Sequence, residues 1–171
     1  MILFPIQRMD GVSSVSENLC GSCSLCCKVK SIKELNKPMY SWCGHCDKSK
    51  GCRIYDAKPA SCTEYSCLWY QTQAFEDPAR RLPARFRPDH TKVVVDVPPN
   101  LENPAAIFWV DPSYPAAIQS EDNQTLIRLL ATEYSVIEAR GNKRRLLVVR
   151  EEVARQMVAD GCDMSQMEWE V

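Results

Sequence analysis

The run Cys20-Gly-Ser-Cys23-Ser-Leu-Cys26-Cys27, continued by Trp42-Cys43-Gly44-His45-Cys46 and then Cys52, Cys62 and Cys67, holds nine of the chain's ten cysteines and governs how the rest is read. Four thiols in eight residues lie on neighbouring turns that converge on one point. That is chelate geometry, whereas a disulfide framework staples facing elements. An odd cluster cannot pair off completely, and the tenth cysteine, Cys162, lies far along the chain in a polar tail. Soft thiolate ligation of zinc or iron is therefore the expected use of Cys20, Cys23, Cys26, Cys27, Cys43, Cys46, Cys52, Cys62 and Cys67.

Two groupings of these ligands are open. If the backbone is extended at Cys26-Cys27, successive side chains point to opposite sides, and the two sulfurs serve different sites. Two four-ligand sites would use eight of the nine and leave one bridging or supporting thiol. Alternatively, Cys20 and Cys23 pair with Cys43 and Cys46 as two CxxC knuckles at zinc-ribbon spacing, and the remaining five thiols make the second site.

The stretch resembles the CxxCxxCC, or YkgJ-like, family of zinc- or iron-chelating domains. Cys20 to Cys27 matches its opening motif, and Cys52-Arg-Ile-Tyr55-Asp-Ala-Lys58-Pro59-Ala-Ser-Cys62, closed by Cys67, is similar to its later signature. Lys58 stands where the family has Arg, and Thr63 follows Cys62 in place of Arg. One cysteine before the Cys-x-Ile-Tyr segment is usual, and here both Cys43 and Cys46 qualify. The resemblance covers residues 20 to about 70 and implies metal chelation. One branch of the family is associated with flagellin lysine methylation and an iron–sulfur cluster.

The 171 residues are 45% hydrophobic and 25% charged, an ordinary globular composition, and the net charge of −1 gives no electrostatic footprint for nucleic acid or an anionic membrane. Residues 1–19 show no export signal, and no apolar run approaches the ~20 residues of a membrane span. A cytoplasmic protein is expected, with its thiols reduced. Met1–Ile6 reads as an edge strand or strap.

Within the cluster, Lys28 to Pro38 reads as a short strand running into a loop. Gly44 is expected to supply a positive φ in its knuckle, and His45 to stand beside the ligands. Lys48, Lys50, Arg53 and Lys58 are either solvated charges or cations that offset thiolate charge. Thr63 to Gln71 reads as one or two helical turns, with Tyr65, Trp69 and Tyr70 as a small core over the metal lobe. Residues 76–90, with three prolines and four arginines, read as a linker.

The second half changes character. Thr91–Val97 and Ala105–Asp111 read as neighbouring antiparallel strands. Asp122 to Tyr134 has helical spacing, with Asp122 or Asn123 as the cap. Ser135–Arg140 and Lys143–Val149 form a hairpin around Gly141-Asn142, a pair suited to a type II′ turn, and Arg150 to Ala159 reads as a closing helix. Asp96, Asp111 and Glu138 are read as strand charges, and Lys143-Arg144-Arg145 as sheet-edge protection or a binding patch. There is no phosphate loop, GxSxG or HExxH.

The expected architecture is α+β: a cysteine-rich, metal-stabilised lobe over residues 1–75, a Pro/Arg-rich linker over 76–90, and a small antiparallel sheet with two helices over 91–171. The expected function is zinc chelation by a binding or carrier module that acts with a protein partner, with a 4Fe-4S redox or protein-modifying role as the alternative and no catalytic residues assigned.

Overall fold

The computed structural model describes residues 19–98, 104–161, 163 and 168–170. The expected strap at Met1–Ile6 and the thiol of Cys162 lie outside them. The helices are α1 (Cys26–Val29), α2 (Ala60–Thr63), α3 (Leu68–Gln73), α4 (Pro88–Thr91), α5 (Glu121–Leu130) and α6 (Glu151–Ala159). The strands are β1 (Cys46–Asp47), β2 (Gly51–Cys52), β3 (Val93–Asp96), β4 (Ala105–Val110), β5 (Ser135–Arg140), β6 (Lys143–Val148) and β7 (Glu168–Glu170). The protein is α+β, with β1–β2 a small hairpin and β3-β4-β5-β6-β7 a five-stranded sheet.

That sheet is mixed, which corrects the expectation of an antiparallel one. β3 and β4 are antiparallel as expected, with Val94 opposite Trp109. β4 and β5, however, run parallel, with Ile107 opposite Ile137. The cause is the connection: parallel neighbours need a long crossover, and α5 supplies it. Its apolar face, Leu126, Ile127 and Leu130, is buried against the sheet, worth roughly 1.5–3 kcal/mol for each side chain. The cap is Ser120, whose Oγ accepts from the Asn123 backbone N–H, rather than Asp122 or Asn123. Asn123 is instead wholly buried, and its Nδ2 donates to Thr91 O at 3.0 Å and Ala117 O at 2.8 Å, clamping α5 to the start of β3.

The β5–β6 hairpin closes through Gly141-Asn142, with Arg140 opposite Lys143. Gly141 takes φ +57° and Asn142 stays on the negative side, as a type II′ turn requires. β6 is not an edge, because β7 pairs with it on the far side; edge protection is therefore not what Lys143-Arg144-Arg145 does.

Strand alternation divides the sheet into two faces. Val93, Val95, Phe108, Val110 and Val136 pack with α5, with Leu68 of α3, and with Leu82 and Phe86 from the proline-rich segment. Val94, Trp109 and Ala139 point the other way and pack with Leu25 and Val29 of the cysteine segment. The cysteine lobe thus sits on one face of the sheet. Among the described residues no helix is long and apolar enough to cross a membrane.

The stretch from Lys28 to Pro38 is not a strand. Its first residues complete α1, residues 33–35 make a 3-10 turn, and Ile32 and Lys37 exchange two backbone hydrogen bonds of 3.0 Å. Packing decides this: in a helix Leu25 and Val29 lie one turn apart on a single face and pack together with Val94 and Trp109, whereas an extended chain would hold them about 13 Å apart.

Candidate metal centre

The cysteine segment is drawn together by backbone contacts before any metal is considered. Cys23 N–H donates to Cys20 O at 2.8 Å, turning the chain into α1, and Cys43 N–H donates to Cys27 O at 3.0 Å, bringing the second CxxC against that helix. Cys46 N–H donates back to Cys43 O at 3.0 Å, closing a knuckle, and Cys46 lies opposite Cys52 in the β1–β2 hairpin. Ser61 N–H on α2 donates to Glu34 Oε1 at 2.9 Å, which fixes Cys62 relative to the 33–35 turn. Cys67 is the N-cap residue of α3.

The glycine that matters is not Gly44, which has no positive φ. Gly21 and Gly51 do, at +50° and +93°. A Cβ on Gly51 would lie 2.3 Å from the carbonyl oxygen of Gly21, so the hairpin can press against the Cys20–Cys23 loop only without a side chain there.

These contacts place Cys20, Cys23, Cys26, Cys27, Cys52 and Cys62 around one cavity of about 90 Å³. Cys43 and Cys46 lie behind Cys27, and Cys67 lies on the side of Cys20 and Cys23, in electrostatic reach of both. All nine are free thiols. His45 is exposed beside them. The vicinal pair is helical, not extended, so its sulfurs do not diverge: the Cys27 thiol is in hydrogen-bonding reach of those of Cys26 and Cys46. Cys27 is also felt electrostatically by Cys20, Cys52 and Cys62. It is the common neighbour of both halves of the cluster.

No three of the described His, Cys, Asp and Glu side chains close tightly enough to hold a single metal ion as they stand. The donor set is that of a soft-metal site, and the space it encloses is several times the ~30 Å³ share of one water molecule.

The electrostatics of the thiols follow chiefly from burial. Burial, reinforced by the Asp89 carboxylate, pushes the Cys23 thiol up from 9.0 to about 11. Burial does the same to Cys46, and it takes Cys67 to about 12. Cys27 is raised first by its hydrogen bond with Cys26 and then by burial. Burial also raises Cys20, Cys52 and Cys62, and Lys58, which lines the cavity, offsets part of that rise in all three, as Arg87 does for Cys20.

Of the four basic residues noted in the sequence, only Lys58 turns to the thiols in this way. Lys48 and Lys50 are exposed, and Arg53 Nη2 donates to Gly44 O at 2.5 Å. Several surrounding residues were not singled out from sequence. Tyr55 hydrogen-bonds Cys20 and Tyr70, and the Lys58 ammonium lies 3.7 Å from its ring centroid. Lys37 is buried, donates to Lys28 O at 3.1 Å and to Lys30 O, and is held below its ordinary value by burial. Lys30 spans the sheet side, with Asp96 at 3.0 Å and the Trp109 ring centroid at 4.3 Å. The Tyr55 signal was present in the Cys-x-Ile-Tyr run. Lys30, Lys37 and Arg87 gave no local signal, since their proximity is made by the fold.

Asp96 and Asp111 are tied to Lys30 and Lys28, which joins the sheet to α1 on the cysteine side. No family model, no curated protein and no solved structure matches this chain.

Proposed function

We propose that the chain chelates metal through the thiolates around this cavity, and that the centre is polynuclear. The observation that carries the reading is the meeting of six thiols from three separate segments around one space, with Cys27 neighbouring thiols of every segment. An iron–sulfur cluster fits best, because bridging sulfides fill the room that a lone ion would leave between ligands. Lys58 and Arg87 would offset the excess negative charge of a thiolate-bound centre.

Zinc is the second reading, and the closed Cys43–Cys46 knuckle favours it, since such a turn aims two thiolates at one tetrahedral ion. In either case the module works with a protein partner in a reducing compartment such as the cytoplasm, where the thiols stay available. Anaerobic purification followed by iron, zinc and acid-labile sulfide analysis tests the proposal. Brown protein with iron and sulfide in similar amounts supports the cluster, and colourless protein with stoichiometric zinc selects the second reading. A chain carrying neither metal after growth in replete medium overturns both.

A further inference from the structure

The basic run Lys143-Arg144-Arg145 lies on an interior strand, and its register shows what it faces. Glu138 on β5 is opposite Arg145, and Arg140 is opposite Lys143. Glu138 shares the α5 face of the sheet with Phe108, its neighbour on β4, and is only 3% exposed. A lone carboxylate there would be costly. Two guanidiniums close on it instead. Arg145 donates to Oε2 through Nε at 3.0 Å and Nη2 at 2.6 Å, and Arg140 Nη2 donates to Oε1. Arg140 Nη2 is held further by Pro115 O at 2.8 Å, and Arg140 Nε is buried with no hydrogen-bond partner among the described residues.

Both guanidiniums thereby stand fixed on the wall of a cavity of about 510 Å³, which Lys143 and Arg144 also line. Arg140, Lys143 and Arg145 face two carboxylates there, while the Arg144 guanidinium turns to the other face, 4.8 Å from the Trp109 ring centroid. Glu138 is consumed in holding the arginines. The other, Glu168, meets Lys143 at 3.3 Å in a pair that is more than half exposed, and such pairs are weak and readily exchanged. The volume is that of a small-molecule site. Among the described residues its lining is mainly polar and charged, which favours oxyanion contacts over stacking as the source of affinity.

We propose that this cavity is a binding site for a small polyanion, gripped through phosphoryl or carboxylate oxygens by Arg140, Lys143 and Arg145, with Glu138 as the buttress that sets the two guanidiniums. Arginine forks match both kinds of oxyanion. The site is on the opposite face of the sheet from the cysteines and does not depend on what they hold.

Calorimetric titration of the full chain at low ionic strength, with inorganic pyrophosphate in one arm and tricarballylate in the other, tests this. Saturable binding of pyrophosphate alone identifies phosphoryl groups, and binding of tricarballylate identifies carboxylates. Arg145→Gln and the milder Lys143→Gln, at an exposed position, should each weaken binding about tenfold, the usual worth of one charge-assisted contact. Lys48→Gln, on the cysteine lobe, should leave it unchanged, and metal content should be the same in all three. Absence of saturable binding in both arms, or equal binding by Lys143→Gln and wild type, overturns the proposal.

Discussion

Lys28, the residue after the vicinal thiols, forms a buried ion pair with Asp111 at the end of β4, 83 positions further along the chain. Ser113 Oγ accepts a second hydrogen bond from the same ammonium at 2.8 Å. The side chains are 11% and 4% exposed, so neither charge has bulk water as an alternative partner. The pair locks α1, and with it Cys26 and Cys27, to the sheet.

Removing one partner strands the other charge. Asp111→Ala should therefore cost about 3–5 kcal/mol in urea unfolding, and metal bound per chain should fall with it. The double variant Lys28→Met/Asp111→Leu, which removes both charges and puts apolar side chains in their place, should recover most of the loss. A single variant within ~0.5 kcal/mol of wild type would show that the pair does not hold the lobe.

The contact between Gly51 and Gly21 gives a second test, local to the cysteines. Gly51→Ala puts a methyl 2.3 Å from the Gly21 oxygen at φ +93°, so either the hairpin or the Cys20–Cys23 loop must move. A loss of about 1–3 kcal/mol is expected, together with faster reaction of the thiols with a maleimide. Gly44→Ala is the control: nothing lies within 4 Å of its Cβ, and stability should change by less than ~0.5 kcal/mol.

These two relationships also mark where sequence reading stops. The cysteine runs, the Gly141-Asn142 hairpin and the apolar face Leu126, Ile127 and Leu130 were legible because each is written in residues close together. The parallel pairing of β4 with β5 was not, since alternation within a strand says nothing about its neighbour. β7 escaped because three residues carry too little pattern. The helical turn at Cys26-Cys27 was missed because Trp109 and Val94, which select it by burying Leu25 and Val29 together, lie far away in the chain. Glu138 read as a strand-edge charge because nothing nearby announced that Arg145 would cross from the next strand.

Asn123 offers a prediction about the other half. Its side chain is buried among apolar neighbours and bridges Thr91 O and Ala117 O. Asn123→Leu keeps the branching of the side chain but leaves Thr91 O without its donor and Ala117 O with the Ser120 N–H alone, at a cost of about 1–3 kcal/mol. Thermal unfolding should fall by several degrees while metal content in the folded fraction stays unchanged. Loss of metal without loss of stability would contradict the division of the molecule into two faces.

The raised thiol values predict how the metal-free protein responds to base. Cys23 and Cys46 move from 9.0 to about 11 and Cys67 to about 12, chiefly because burial disfavours the thiolate. The folded state therefore holds these protons more tightly than the unfolded chain. That contribution is fully present below pH ~9 and is lost as pH rises through about 11. Urea midpoints of the metal-free chain should drop across this window. With metal bound the thiols are already deprotonated, so the loaded protein should show a smaller drop, and its loading should release protons. Equal slopes for the two forms would detach these thiols from the metal.

The vicinal pair decides between one centre and two. In an extended chain Cys26 and Cys27 would serve separate ions, and either Ser variant would keep about half of the metal. In α1 their thiols instead reach each other, and Cys27 also reaches Cys46 and acts on Cys20, Cys52 and Cys62. Cys27→Ser should then empty the site altogether, and Cys26→Ser should do so or nearly so. Cys67, whose thiol neighbours are Cys23 and Cys20, lies toward the rim of the cluster, so Cys67→Ser should retain the largest share of the three. Iron, zinc and sulfide measured per chain on the three variants provide the comparison. If Cys27→Ser keeps half its metal, the centre is divided after all, and the helical turn at Cys26-Cys27 brings the sulfurs together without making them share an ion.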